Sequence, residues 1–252
     1  EGALSGACDA LSPKQEAHAR EKLAELRGGP AANPPLAVQP VGAEAEHDSS
    51  EPIVPTLLSR IGHGSYGSVW RARVDAAASP ALEVAVKIVP LHADLEEGEV
   101  QTELEREIAL MRTFTHANIV TFYDAFRAAD AAEIWVVMEL CELGSMRDVV
   151  RRLGPLKETD AAAVTHDVLT GLQYLHGHRH TVHRDVKGAN ILLGAPGMVK
   201  LADFGVSAAL DGTLGVQHTV IGTPQWMAPE VISGEGYDAS VDVWSVGVTV
   251  IE

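Results

Sequence analysis

Within His183-Arg184-Asp185-Val186-Lys187-Gly188-Ala189-Asn190, a carboxylate, an ammonium and a carboxamide crowd a few residues. The apolar Ile191-Leu192-Leu193 follows at once and reads as a β-like run that holds them from behind. These are the parts that phosphoryl transfer needs. Asp185 takes the proton of an acceptor hydroxyl, Asn190 offers an amide oxygen to Mg²⁺, and Lys187 neutralises charge on the moving phosphate. His-Arg-Asp with an Asn five residues after the Asp is a specific pattern. The competing reading is a charged loop between a helix and a hairpin, so the rest of the chain has to supply the other parts.

A phosphate cover is the first of them. Ile61 leads into Gly62-His63-Gly64-Ser65-Tyr66-Gly67, and Val69 follows the third glycine by two. Dinucleotide folds also use Gly-x-Gly-x-x-Gly, but between a strand and a helix. Here β alternation continues on both sides, which suits a flap whose backbone N–H groups approach phosphate oxygens without Cβ clash. A structural Gly-rich hairpin is the plain alternative. Twenty residues beyond Gly67 stands Lys87, inside Val84-Ala85-Val86-Lys87-Ile88-Val89. A lysine in an apolar strand needs a partner. Glu107 fits best, because it borders the apolar stripe of the next helix; Glu99, Glu103 and Glu105 are alternatives, as is a solvated Glu107. Such a pair would aim Lys87 at the α and β phosphates.

Asp203-Phe204-Gly205 lies thirteen residues after Asn190. Asp203 is expected to hold Mg²⁺ bridging the β and γ phosphates, with Asn190 on a second ion. Thr219-Val-Ile-Gly-Thr223-Pro-Gln-Trp226-Met-Ala228-Pro229-Glu230 closes the segment. Thr219 is a phosphorylation candidate, and Arg184 offers its phosphate a bidentate partner. An ordinary loop threonine is the alternative.

The elements behind these residues follow from periodicity. Strands are expected at Leu57–Ile61, Ser68–Val74, Glu83–Val89, Ile119–Phe126 and Ile134–Met138, with one helix from Asp94 to about Phe114, making a small α+β lobe. Beyond Gly144 the pattern turns helical. Thr159 is expected to cap a helix carrying Val164, Val168, Leu172 and Leu175; Met198–Leu201 is a short strand, and helical patterning returns near Val241. Residues 1–52 are rich in Ala, Pro, Gly and acids and read as a disordered leader and linker. One marginal helix is plausible there, with Ser12 as N-cap, Pro13 first and Gln15 completing a capping box.

The 252-residue chain has 19 basic against 35 acidic residues, a net charge of −16, which argues against nucleic acid and against an anionic membrane surface as partners. Hydrophobic residues make up 46%, ample for a core. Cys8 and Cys141 are the two cysteines and suggest no disulfide framework, so a reducing, cytoplasmic setting is expected. No apolar run approaches the ~20 residues of a membrane helix. The start at Glu1 and the end inside an apolar segment lead to the expectation of a piece of a longer protein.

In order and spacing, residues 53–252 resemble a eukaryotic protein kinase, a two-lobed fold with a small antiparallel β lobe (53–138), a hinge (139–144) and a mainly helical larger lobe (145–252) that would be C-terminally truncated. Lys187, two residues after Asp185, resembles the serine/threonine class. Val220-Ile-Gly-Thr-Pro-Gln-Trp-Met-Ala-Pro-Glu-Val-Ile232 and Lys200-Leu-Ala-Asp-Phe-Gly-Val-Ser207 are similar to the sterile-20 group. Gly64-Ser-Tyr-Gly-Ser-Val69 and Val137-Met-Glu-Leu-Cys141 are similar to its Hippo/MST branch. The resemblance implies ATP with Mg²⁺ or Mn²⁺, protein substrates, and an upstream kinase or a homodimer that phosphorylates Thr219. It also implies that Glu139 and Cys141 meet adenine through their backbone, that Met138 is the gatekeeper, and that Val69, Ala85 and Leu192 sandwich the ring. Met111, Phe122, Phe204 and His183 would stack into a spine anchored by Asp242, and Thr223 would bridge Asp185 and Lys187. Leu214-Gly-Val-Gln-His218 departs from the pattern, lacking the basic residues of related activation loops. A non-enzymatic pseudokinase or scaffold is the main alternative, though Lys87, Glu107, Asp185, Asn190 and Asp203 are all present. Zinc binding by His176, His178, His180 and His183 is weaker, since alternating histidines converge poorly on one ion.

Overall fold

In the computed structural model, residues 55–64, 67–76, 79–90, 108–127, 133–194, 197–204, 208–209 and 222–252 are described. The leader with its helix at Ser12, Ser65, Tyr66, Glu107, Thr219 and most of the helix expected from Asp94 lie outside them. The chain divides into two units. One takes the described residues up to 90 and those from 122 to 140; the other takes 108–121 and everything from 141 onward.

The first unit is one antiparallel sheet. Its strands are β1 (Thr56–Gly64), β2 (Gly67–Ala76), β3 (Ser79–Pro90), β4 (Phe122–Arg127) and β5 (Glu133–Glu139), in the order β1-β2-β3-β5-β4. Period-two alternation builds its core: Ala72, Val84, Val86, Ile88 and Val137 bury one face, with Trp70 and Trp135 packed against them. Antiparallel partners project to the same side. The pairs Gly62↔Val69, Val69↔Lys87 and Ala85↔Met138 therefore put these five residues together on the opposite face.

Gly67, at the start of β2, has φ of +137°, and a Cβ there would sit 1.9 Å from the Ile88 carbonyl oxygen. Its own fold requires this glycine. Gly62 differs, because a Cβ there would meet only Val69 side-chain atoms, at 3.6 Å or more.

The second unit is built on α2 (Glu158–His178), preceded by α1 (Met146–Leu153). Glu158 and Asp160 in the first turn of α2 and His176 and His178 in the last suit the helix dipole. Val164, Val168, Leu172 and Leu175 recur at helical spacing and are buried as expected. Gly171 lets the helix come close: a Cβ there would lie 3.0 Å from the Asn118 carbonyl and 3.2 Å from Leu201 Cδ1. Against this helix lies a hairpin of β7 (Ile191–Leu193) and β8 (Val199–Leu201); β6 (Thr181–Val182) pairs with β9 (Ala208–Ala209). Two more helices follow, α3 (Pro229–Ser233) and α4 (Ser240–Ile251).

Two expectations are corrected. The strand expected over Ile119–Phe126 divides. The backbone at 118–120 bonds to Leu201, which donates to Asn118 O at 2.9 Å and accepts from Val120 N at 2.9 Å, so only Phe122 onward joins the sheet of the first unit. Thr159 is not the cap of α2. The helix begins at Glu158, and the Lys157 carbonyl takes the amides of Asp160 and Ala161, both at 2.9 Å.

At the start of α4, Asp238 Oδ1 accepts the Ser240 amide at 2.8 Å. Hydrogen bonds from the Ser240 side chain, then from its backbone, hold the Asp238 carboxyl below the ordinary carboxylate range. Its stabilisation is present above the unfolded-state pKa and fades as pH falls through the lowered folded-state value. Because this carboxylate is exposed and screened by solvent, Asp238→Ala should lower unfolding free energy near pH 7 by only about 0.5 kcal/mol. In denaturant titrations this difference should vanish at acid pH. In the same assay Gly67→Ala should cost about 2 kcal/mol or more, whereas Gly62→Ala should stay within about 0.5 kcal/mol.

Candidate active site

The loop leaving β6 is shaped by one buried carboxylate. Asp242 of α4 is fully buried. Its Oδ2 accepts the His183 amide at 2.8 Å and the His176 ring nitrogen at 2.7 Å, and its Oδ1 accepts the Arg184 amide at 2.8 Å. Just past these amides Arg184 takes φ +67°, a left-handed conformation that non-glycine residues rarely adopt. His183 is buried too. Its Nδ1 accepts the Asp185 amide at 3.3 Å, so the ring proton sits on Nε2 and points at the Ala202 carbonyl, 3.1 Å away.

Asp185 then stands with both oxygens engaged. Oδ2 accepts Lys187 Nζ at 2.6 Å and Asn190 Nδ2 at 2.9 Å; Oδ1 accepts the Thr223 hydroxyl at 2.6 Å and the Thr223 amide at 3.1 Å. Lys187 Nζ also donates to the Thr223 hydroxyl at 2.6 Å. Thr223 thus lies between carboxylate and ammonium, the arrangement that the resemblance implied. These donors fix the orientation of the carboxylate and hold the cation beside it.

Asn190 ends a single 3₁₀ turn, Gly188–Asn190. Its Nδ2 donates to the Asp185 carbonyl at 2.8 Å as well as to the carboxylate, which leaves the amide oxygen as the end suited to a cation. The Asn190 carbonyl accepts the Ala202 amide at 2.9 Å, tying the turn to the residue before Asp203. Asp203 is exposed and at φ +64°, a second non-glycine in the left-handed region. An amide oxygen just before β7 and an exposed carboxylate just after β8, its hydrogen-bonded partner strand, are donors that fit a hard divalent cation.

Phe204 is buried. Its ring lies 5.1 Å from that of His183 and 5.1 Å from that of Phe114. Phe114 was not among the spine residues read from the sequence; Met111 packs against the same cluster, and Phe122 stands in β4 of the other unit. Arg184 Nη1 donates to Tyr237 Oη at 3.4 Å. Asn118, which ties the backbone to Val199 and Leu201, also went unread. No local signal marks these residues, because their partners lie far along the chain.

In the first unit, Ile61, Gly62, His63 and Gly64 end β1, Gly67 and Val69 open β2, Ala85 and Lys87 lie mid-β3, and Met138 and Glu139 end β5. Leu192 sits in β7 of the second unit, where Cys141 is buried.

A model of the protein kinase domain matches residues 56–252. The chain is 46% identical over 198 residues to serine/threonine-protein kinase 4 homolog A of Dictyostelium discoideum, covering 78% of this chain and 40% of that protein. It is 43% identical over 199 residues to mitogen-activated protein kinase kinase kinase kinase 3 of Homo sapiens, covering 78% and 21%. It is 42% identical over 197 residues to serine/threonine-protein kinase hippo of Drosophila melanogaster, covering 78% and 28%. The chain thus spans well under half the length of these relatives, which are of the sterile-20 group. With Asp185, Lys187, Asn190, Asp203 and Thr223 all inside the matched span, this chain belongs to the protein kinase domain family.

Proposed function

We propose that the protein is a serine/threonine protein kinase that transfers the γ-phosphate of ATP to hydroxyl groups of protein substrates. The observation that carries this reading is the Asp185–Lys187–Thr223 contact set. Asp185 lies where it can receive the proton of an acceptor hydroxyl, and Lys187 beside it can balance charge on the transferred group. Asn190 and Asp203 would hold a divalent cation, Mg²⁺ or Mn²⁺, which supplies charge neutralisation at the phosphates when bound.

On the first unit, Gly62, Val69, Ala85, Lys87 and Met138 share a sheet face, and this supports their assignment to nucleotide binding. Lys87 orients phosphates in this reading, with Glu107 as its partner. Ile61, His63, Gly64, Ser65, Tyr66 and Gly67 complete the cover, and Glu139, Cys141 and Leu192 meet the adenine. Phosphorylation of Thr219, by an upstream kinase or a second copy, gives Arg184 an anionic partner that orders the segment ending at Thr223. Net charge of −16 favours protein over nucleic acid as partner, and among the described residues no helix is long and apolar enough to cross a membrane. A cytoplasmic location accords with the two-cysteine composition.

Transfer of ³²P from [γ-³²P]ATP to a generic protein substrate, on the full-length protein, tests the proposal; absence of transfer after phosphorylation of Thr219 would sink it. Lys87→Ala and Asp203→Ala should each abolish transfer while circular dichroism and melting stay near wild type, and retained turnover in either refutes its assigned role. Asp185→Asn should lower kcat by about 10²–10⁴-fold. Thr223→Val removes a hydrogen bond to a charged group and should cost about 10- to 100-fold in kcat, with Thr223→Ser close to wild type.

A further inference from the structure

Glu252, the residue that follows α4, reaches the loop after β6 a second time. Glu252 Oε2 accepts the Gly188 amide at 2.9 Å, across 64 residues of sequence. That amide opens the 3₁₀ turn that ends in Asn190. The first N–H groups of a helical turn have no partner within it, and Lys187, in the cap position, makes no side-chain cap bond. Glu252 supplies the missing acceptor. The approach is close: a Cβ at Gly188 would lie 2.8 Å from Glu252 Oε2, at the tip of that flexible side chain. One turn earlier, Thr249 Oγ1 lies 3.4 Å from the Val186 carbonyl. Asp242 and Thr249, seven apart, share one face of α4, and Glu252, three further on and just past the helix, continues it toward the loop.

We propose that Glu252 is a positioning residue whose carboxylate clamps the Gly188 amide. The clamp fixes the turn that carries Asn190 and, through the Asn190 carbonyl and the Ala202 amide, its offset from Asp203. It sets the spacing of the two oxygen donors for a divalent cation without touching nucleotide or cation. The cation part of this proposal rests on the phosphotransfer reading above; the clamp itself does not.

Hydrogen–deuterium exchange on the full, unliganded chain reads the clamp directly. Glu252→Ala should speed exchange of the amides in 186–190 about tenfold, as expected for loss of one charged acceptor. Glu252→Gln, which keeps an acceptor oxygen, should stay within about twofold. Glu252→Asp, one methylene shorter, draws the carboxylate back from the Gly188 amide, so it should loosen the same amides even if Glu252→Ala folds poorly. Unchanged exchange in Glu252→Ala, or in Glu252→Asp, overturns the clamp whether or not the protein phosphorylates anything. Thermal shift by ADP at stepped Mg²⁺ reads the second half. Half-saturating Mg²⁺ should rise roughly tenfold in Glu252→Ala, with the shift at saturating Mg²⁺ retained. Loosened exchange with an unaltered Mg²⁺ requirement overturns the positioning role. A wild-type chain with no Mg²⁺-dependent shift sinks the phosphotransfer reading and the cation half together, and leaves the clamp to be judged by exchange.

Discussion

One buried carboxylate bears the geometry of the catalytic loop. Asp242 is fully removed from solvent, and such a charge is stable only if its oxygens are hydrogen-bonded. Two of its three donors are consecutive backbone amides, of His183 and Arg184. Consecutive amides face one carboxylate only if the chain bends at the residue between them, His183, and Arg184 leaves that bend at φ +67°. The left-handed residue costs about 1–3 kcal/mol, whereas hydrogen bonds to a charged acceptor contribute about 1.5–3 kcal/mol each. Two such bonds outweigh the strain. The bend in turn sends Asp185 away from the core that holds His183.

Downstream of that bend the site is a set of mutually dependent orientations. Asp185 is held by donors from Lys187, Asn190 and Thr223, and the last comes from a segment 38 residues away. Its alignment depends on where that segment sits. Whatever moves that segment moves a donor to Asp185. Phe204 adds a second dependence. Packed between His183 and Phe114, it fixes Asp203 relative to the loop by burying the residue next to it.

The glycines fall into two kinds. Gly67 and Gly171 are required by the protein's own packing, with a backbone oxygen 1.9 Å and 3.0 Å from where a Cβ would be. Gly62 meets nothing so close, and a small residue there serves what approaches the flap from outside in the proposed reading. A motif that reads as one unit in sequence thus mixes folding and binding constraints.

Much was legible beforehand. Strand alternation in Val84–Val89, the helical stripe at Val164, Val168, Leu172 and Leu175, and the chemical crowding of His183–Asn190 are local patterns. Each is set by side-chain period and backbone propensity within a few residues. The misread points were those where a distant partner wins. Ile119 left the sheet because Leu201 takes the backbone around it. Thr159 is a local exception: the helix starts one residue earlier than its cap signal, at Glu158, so Thr159 already lies inside the first turn. Phe114, Asn118 and Glu252 bear no periodic signature, since each acts on atoms far away in the chain. The sequence by itself determined which functional groups exist, the period of each element and the family they resemble. Tertiary structure alone decided how those groups are aimed, because hydrogen-bond direction depends on which backbones the folded core brings within 3 Å of one another.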